Sequence, residues 1–113
     1  MERSRRTPTT YGLFYALKFA GFAMPKYVLF GSYCENVVER RAPYREAHLA
    51  GLQQQKADGV LVTLGPTQDL TKVFGIYDAP DETTVRNLVE SDPYWQNGIW
   101  TEYEIKEWIQ AIG

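Results

Sequence analysis

In KYVLFGSY, residues 26–33, apolar and aromatic side chains occupy both alternating phases of an extended chain. Tyr27, Leu29 and Tyr33 fall on one side, Val28 and Phe30 on the other. β-Branched and aromatic residues favour a strand. TKVFGIY, residues 71–77, repeats the pattern, with Val73 and Tyr77 set against Phe74 and Ile76. A sheet built on two such strands is apolar on both faces, so any fold available to the chain has to cover both.

The rest of the chain supplies one cover. Residues from about Val37 to Asp58 are rich in helix formers and end at Gly59, a suitable C-terminal cap, with Pro43 tolerable only where regular helix begins. VLVTLG, residues 60–65, reads as a second strand, joined to TKVFGIY through a hairpin at Gly65-Pro66-Thr67-Gln68-Asp69. Asp81-Glu82-Thr83-Thr84 opens a second helix with acids at the positive end of its dipole, and Val85, Leu88 and Val89 follow at helical spacing. Pro93 turns Asp92 away from helical geometry, ending that helix near Ser91 and leaving DPYWQNG as an irregular piece. In IWTEYEIKEW, Ile99, Thr101, Tyr103 and Ile105 alternate with Trp100, Glu102, Glu104 and Lys106, the period of a half-buried strand.

The order is βαββαβ, which predicts an α+β fold of ferredoxin-like type: a four-stranded antiparallel sheet with two helices on one face. Two helices cover one face only. The apolar second face predicts a homodimer packed sheet against sheet.

Charge narrows the partners. Residues 1–23 carry four basic groups and one acid, whereas residues 24–113 carry eight basic and thirteen acidic groups. An acidic domain is a poor fit to a phosphate backbone, so no nucleic-acid partner is expected. Cys34 is the single cysteine and cannot close an internal disulfide, which suits a reducing cytoplasm. No run approaches the roughly 20 apolar residues of a membrane span. Residues 24–113 form the expected domain and residues 1–23 an extension outside it. Three readings of that extension stand open: a weak signal peptide interrupted by Lys18, an amphipathic arm, or a start upstream of the natural one at Met24.

The candidate site centres on YREAHLAGL, residues 44–52, which holds the single histidine. At about 100° per residue, His48 shares a stripe with Leu49 and Leu52, the expected sheet-facing side, and Arg41, Tyr44, Arg45 and His48 point to one edge of it. Such an edge could bind a small anion beside a titratable imidazole. The residues by themselves leave His48 open to a packing role, with one nitrogen on a carbonyl. Asp92 is equally open to a plain capping role, and Tyr94, Trp95 and Trp100 to core or interface roles. Cys34 could act as a nucleophile. One His and one Cys cannot build a zinc site, and Gly59, Gly65 and Gly75 form no phosphate loop, so no metal or cofactor is expected.

Taken together, KYVLFGSY, the R-x-x-H-L-x-x-L run from Arg45 to Leu52, Gly59, Leu64-Gly65-Pro66 and Ser91-Asp92-Pro93-Tyr94 resemble the YCII-related (YciI-like) family over Met24 to about Ile109. The resemblance implies a dimeric α/β barrel and a His-Asp pair in a cleft. His48 would be the general acid or base and Asp92 its orienting carboxylate. Arg41 and Arg45 would hold an anionic or enolate oxygen, with Tyr44 and Tyr94 on the substrate side and the Gly65-Pro66 turn as the cleft wall. Two functions are expected from it. One is a cofactor-independent lyase, isomerase or dehalogenating enzyme acting on a small cyclic or aromatic acid; the other is a non-catalytic metabolite-binding or accessory dimer.

Overall fold

The computed structural model describes residues 24–113; the three readings of the N-terminal extension lie outside the described residues. Strand β1 spans Lys26–Tyr33. Helix α1, Val37–Arg41, runs through a 3-10 turn at Ala42–Tyr44 into α2, Arg45–Ala57. Strands β2, Leu61–Pro66, and β3, Lys72–Asp78, form the hairpin. Helix α3, Glu82–Ser91, a single helical turn α4, Pro93–Gln96, and strand β4, Trp100–Trp108, complete the chain. The sheet runs β2-β3-β1-β4 with every neighbouring pair antiparallel. This is the four-stranded α+β arrangement that the order of elements predicts.

Local chemistry sets the boundaries. Pro43 cannot continue the hydrogen-bond ladder behind it, so the expected single helix from Val37 to Asp58 is instead broken by the 3-10 turn that contains this residue. Gly59 ends α2 with φ 85°, a left-handed value that costs glycine nothing, and the Gly59 and Val60 N–H groups bond back to the Lys56 and Gln55 carbonyls. At the head of α3 the Asp81 side chain accepts from the Thr84 N–H at 2.8 Å and from its hydroxyl at 2.7 Å, which satisfies one of the free N–H groups of a first helical turn.

The core lies between the helices and the inner face of the sheet. Leu29, Val73, Tyr77 and Ile105 point from the strands toward Val85 and Val89 of α3, and all six are buried. Each buried aliphatic side chain of this kind contributes about 1.5–3 kcal/mol. The other face of the sheet carries Val28, Phe30, Phe74 and Ile76; Phe30 and Phe74 meet edge to face at 5.8 Å while remaining 51% and 40% exposed.

Strand β4 departs from strict alternation. Ser32 pairs with Glu102 but Tyr33 pairs with Trp100, so Thr101 is an extra residue in a bulge. The bulge moves the count by one and turns Trp100, expected opposite Tyr103 and Ile105, onto their inner face, where it is buried. Gly31 sits beside this irregularity, and a Cβ there would stand 2.7 Å from the Glu102 carbonyl oxygen, so the close approach of β1 and β4 depends on glycine.

Candidate active site

Pro93 begins α4 because a proline lacks the N–H that a first helical position leaves unbonded. The segment expected to be irregular is therefore a helical turn, and Asp92 caps it, accepting from the Tyr94 N–H at 2.8 Å. The same carboxylate meets His48. Nδ1 of His48 lies 2.8 Å from Oδ1 and 2.9 Å from Oδ2 of Asp92, across 44 residues of chain. Both partners are buried, His48 at 4% and Asp92 at 6% exposure. Asp92 thus caps a helix and holds a histidine at once.

The imidazole is fixed on its faces as well. Tyr94 stacks on it at 3.6 Å between ring centroids with the planes 6° apart, and Trp100 stands edge-on at 5.3 Å and 87°. Tyr33 meets Tyr94 edge to face at 6.4 Å. A carboxylate on Nδ1 selects the tautomer that keeps the proton there and leaves Nε2 with its lone pair. Among the described residues no hydrogen bond engages Nε2. The arrangement suits an imidazole that takes up or gives a proton through its outer nitrogen.

Of the other residues expected at the site, Arg41 and Tyr44 are half-buried and Arg45 is exposed. Burial raises the Tyr94 hydroxyl above its ordinary pKa, and the charges of Arg41 and Arg45 pull it back. The Tyr33 hydroxyl is likewise raised by burial and drawn down by the Trp100 N–H and by Arg41. Both hydroxyls therefore stay protonated through neutral pH. The charge of Arg41 thus reaches both hydroxyls and that of Arg45 reaches the Tyr94 hydroxyl. Leu49, expected on the sheet-facing stripe with His48, is instead 40% exposed, so the buried stripe of α2 is narrower than the wheel implies. Gly65 and Pro66 lie on β2, with β3 and β1 between them and Trp100 on β4.

Tyr33 and Trp100 belong to the cluster although the sequence gives neither a site role. A period-two count hides Trp100, because the bulge that turns it inward leaves no local signature. A groove of about 450 Å³ lies elsewhere, on the open face of the sheet beside Phe30, Ser32, Lys72 and Glu102. We place the candidate chemistry at His48, since only there do a buried imidazole and carboxylate converge. Among the described residues no group of three or more His, Cys, Asp and Glu side chains could hold a metal ion, and no helix is long and apolar enough to cross a membrane.

Known proteins bear on this geometry in three ways. An uncharacterised protein of Haemophilus influenzae is 28% identical over 90 residues, which cover 71% of this chain and 92% of that protein. The solved structure of 5-chloro-2-hydroxyhydroquinone dehydrochlorinase from Burkholderia phenoliruptrix, in complex with 2,5-dihydroxybenzoquinone, superposes with a TM-score of 0.67. That alignment covers 76% of this chain and 95% of that one at 24% identity, a likeness of fold. Residues 25–109 match the YCII-related domain, a span that contains the whole sheet and both members of the His48–Asp92 pair, and the chain belongs to the YCII-related family.

Proposed function

We propose that this protein is a cofactor-independent enzyme that moves a proton on a small cyclic or aromatic acid, in a lyase, isomerase or dehalogenating elimination. The observation that carries this reading is the buried bond between His48 Nδ1 and Asp92. Nε2 of His48 takes the proton from substrate and returns it to product or leaving group, while Asp92 holds the ring and balances the charge it gains. Arg41 and Arg45 receive the anionic group of the substrate, with Tyr44 and the Tyr94 hydroxyl beside them; Gly65 and Pro66, on strand β2 with two strands between them and Trp100, take no part in this scheme. Nothing in this scheme calls for a metal or an organic cofactor.

The protein acts as a homodimer in this reading. Phe30 and Phe74 on the open face support it: an exposed apolar surface at the centre of a sheet is a poor surface for a monomer. The two sheets would close face to face as an α/β barrel. With Cys34 unpaired, a reducing cytoplasm is the compartment that fits.

Small ring acids are the compounds to screen, beginning with 2,5-dihydroxybenzoquinone and chlorinated hydroquinones, a choice guided by the dehydrochlorinase of similar fold. Turnover is followed by absorbance and halide release. His48→Asn retains a donor toward Asp92 and removes the outer nitrogen. It is expected to lower turnover at least about 100-fold, at a stability cost of about 1–2 kcal/mol. Turnover within a few-fold of wild type would remove His48 from the chemistry.

The second reading is a non-catalytic metabolite-binding dimer, and the 4% exposure of His48 favours it, because so closed a ring has little room to meet substrate. It predicts that ligands raise the melting temperature with no product formed.

A further inference from the structure

The proton-transfer scheme leaves Trp100 unused. Its side chain is 2% exposed, and its indole N–H has the Tyr33 hydroxyl oxygen as its near acceptor without completing a well-formed hydrogen bond to it. A buried donor left unpaired costs about 1–3 kcal/mol, and such groups are scarce enough in folded proteins that each asks for a cause. The position of the ring is tightly held. It stands edge-on to His48 at 5.3 Å and to Tyr94 at 5.8 Å, on the inner face to which the bulge turns it.

Tyr33 is its partner across the two strands. The indole N–H lies near enough to the Tyr33 hydroxyl to hold down its ionisation, although burial, the larger influence, keeps that hydroxyl above its ordinary pKa. An N–H donor and an O–H donor therefore sit side by side against the stacked His48 and Tyr94 rings, and neither gives up its proton at neutral pH.

We propose that the Trp100 indole N–H and the Tyr33 hydroxyl form the electrophilic half of this site, a pair of donors for the oxygen of a bound cyclic enol or keto acid. The proposal rests on the proton-transfer reading of His48. The proton passes from a C–H or O–H of the substrate to Nε2 of His48, and the electron pair left behind moves onto the oxygen held by the two donors. Charge is conserved between imidazolium and oxyanion, and no oxidant or further reactant takes part. Donors set in place before reaction, in a buried site, stabilise such charge without reorganising. The cost of leaving the indole unpaired in the free protein is then recovered when the oxygen arrives.

The test uses the full chain, 15N-labelled, with 2,5-dihydroxybenzoquinone as the probe. The three tryptophans give three indole N–H resonances, and Trp100→Phe assigns one of them. Saturating probe is expected to move the Trp100 indole proton downfield together with the His48 ring resonances. Trp100→Phe and Tyr33→Phe should each weaken probe binding about tenfold. Benzothienylalanine at position 100 keeps the two-ring shape without the N–H; it should lose the same affinity while the melting temperature holds or rises. A probe that shifts His48 but leaves the Trp100 resonance and both variants' affinities unchanged overturns the donor pair and leaves the proton-transfer reading standing. A probe that shifts neither ring, or does not bind, overturns both. A lower melting temperature with benzothienylalanine, at unchanged affinity, would make the N–H a structural bond to Tyr33 and end the proposal.

Discussion

At the scale of single residues, Asp92 carries two obligations: the Tyr94 N–H that starts a helical turn and the Nδ1 of His48. Substituting it separates structure from chemistry. Asp92→Ala leaves both donors buried without an acceptor, at about 1–3 kcal/mol each, so a loss of about 3 kcal/mol or more is expected in denaturant unfolding. Asp92→Asn keeps an oxygen for the cap and for Nδ1 but removes the charge that balances an imidazolium. Its stability should fall less than that of Asp92→Ala while turnover falls with it. Equal stability loss in the two variants would mean that the charge, and not the oxygen, holds the site together. His48 shows the limit of reading a helix as a wheel. The wheel turns it inward correctly, but it cannot say what an inward histidine meets, because the partner sits 44 residues away.

At the scale of elements, caps and breaks arise from local chemistry and can be tested locally. The Asp81 carboxyl is held below the ordinary carboxylate range, chiefly by the hydroxyl and then the N–H of Thr84. A carboxyl depressed on folding contributes stability that is fully present above its unfolded pKa and is lost as pH falls through its folded value. Asp81→Ala should therefore lower the melting temperature at pH 7, and the gap to wild type should narrow steadily once the pH drops below the ordinary carboxylate range. A gap that does not change with pH would remove the carboxylate as its cause. Some element ends were legible in the sequence because their signals are local, as with Gly59 ending α2 and Pro93 ending α3 near Ser91. Thr101 was not legible: a bulge exists only relative to the strand it is paired with, and one residue of slip moved Trp100 from the outer face to the site.

At the scale of the whole molecule, the open face of the sheet is the surface on which the proposed dimer rests. Phe30→Glu places a charge at the centre of the proposed interface, and light scattering should then find the chain mass in place of twice that mass. The fold should be retained, since Phe30 is 51% exposed in the single chain. An unchanged mass for Phe30→Glu, or a wild-type protein already monomeric at micromolar concentration, would remove the sheet-to-sheet dimer. The domain proposal has its own check. A chain begun at Met24 should keep the melting temperature and mass behaviour of the full chain, and a marked loss of either would make residues 1–23 part of the working unit.

By itself the sequence determined the class of fold, because strand and helix periodicity, caps and prolines act over a few residues and need no distant partner. It also determined that the sheet has two apolar faces and that the second is left uncovered by two helices. The tertiary structure alone decided which side chains share the site. Sheet pairing and the bulge bring Tyr33 beside Trp100, and packing of α2 against α4 brings His48 to Asp92 and Tyr94. Those are contacts between residues far apart in the chain. No local preference encodes them, and they exist only once register and packing are set together.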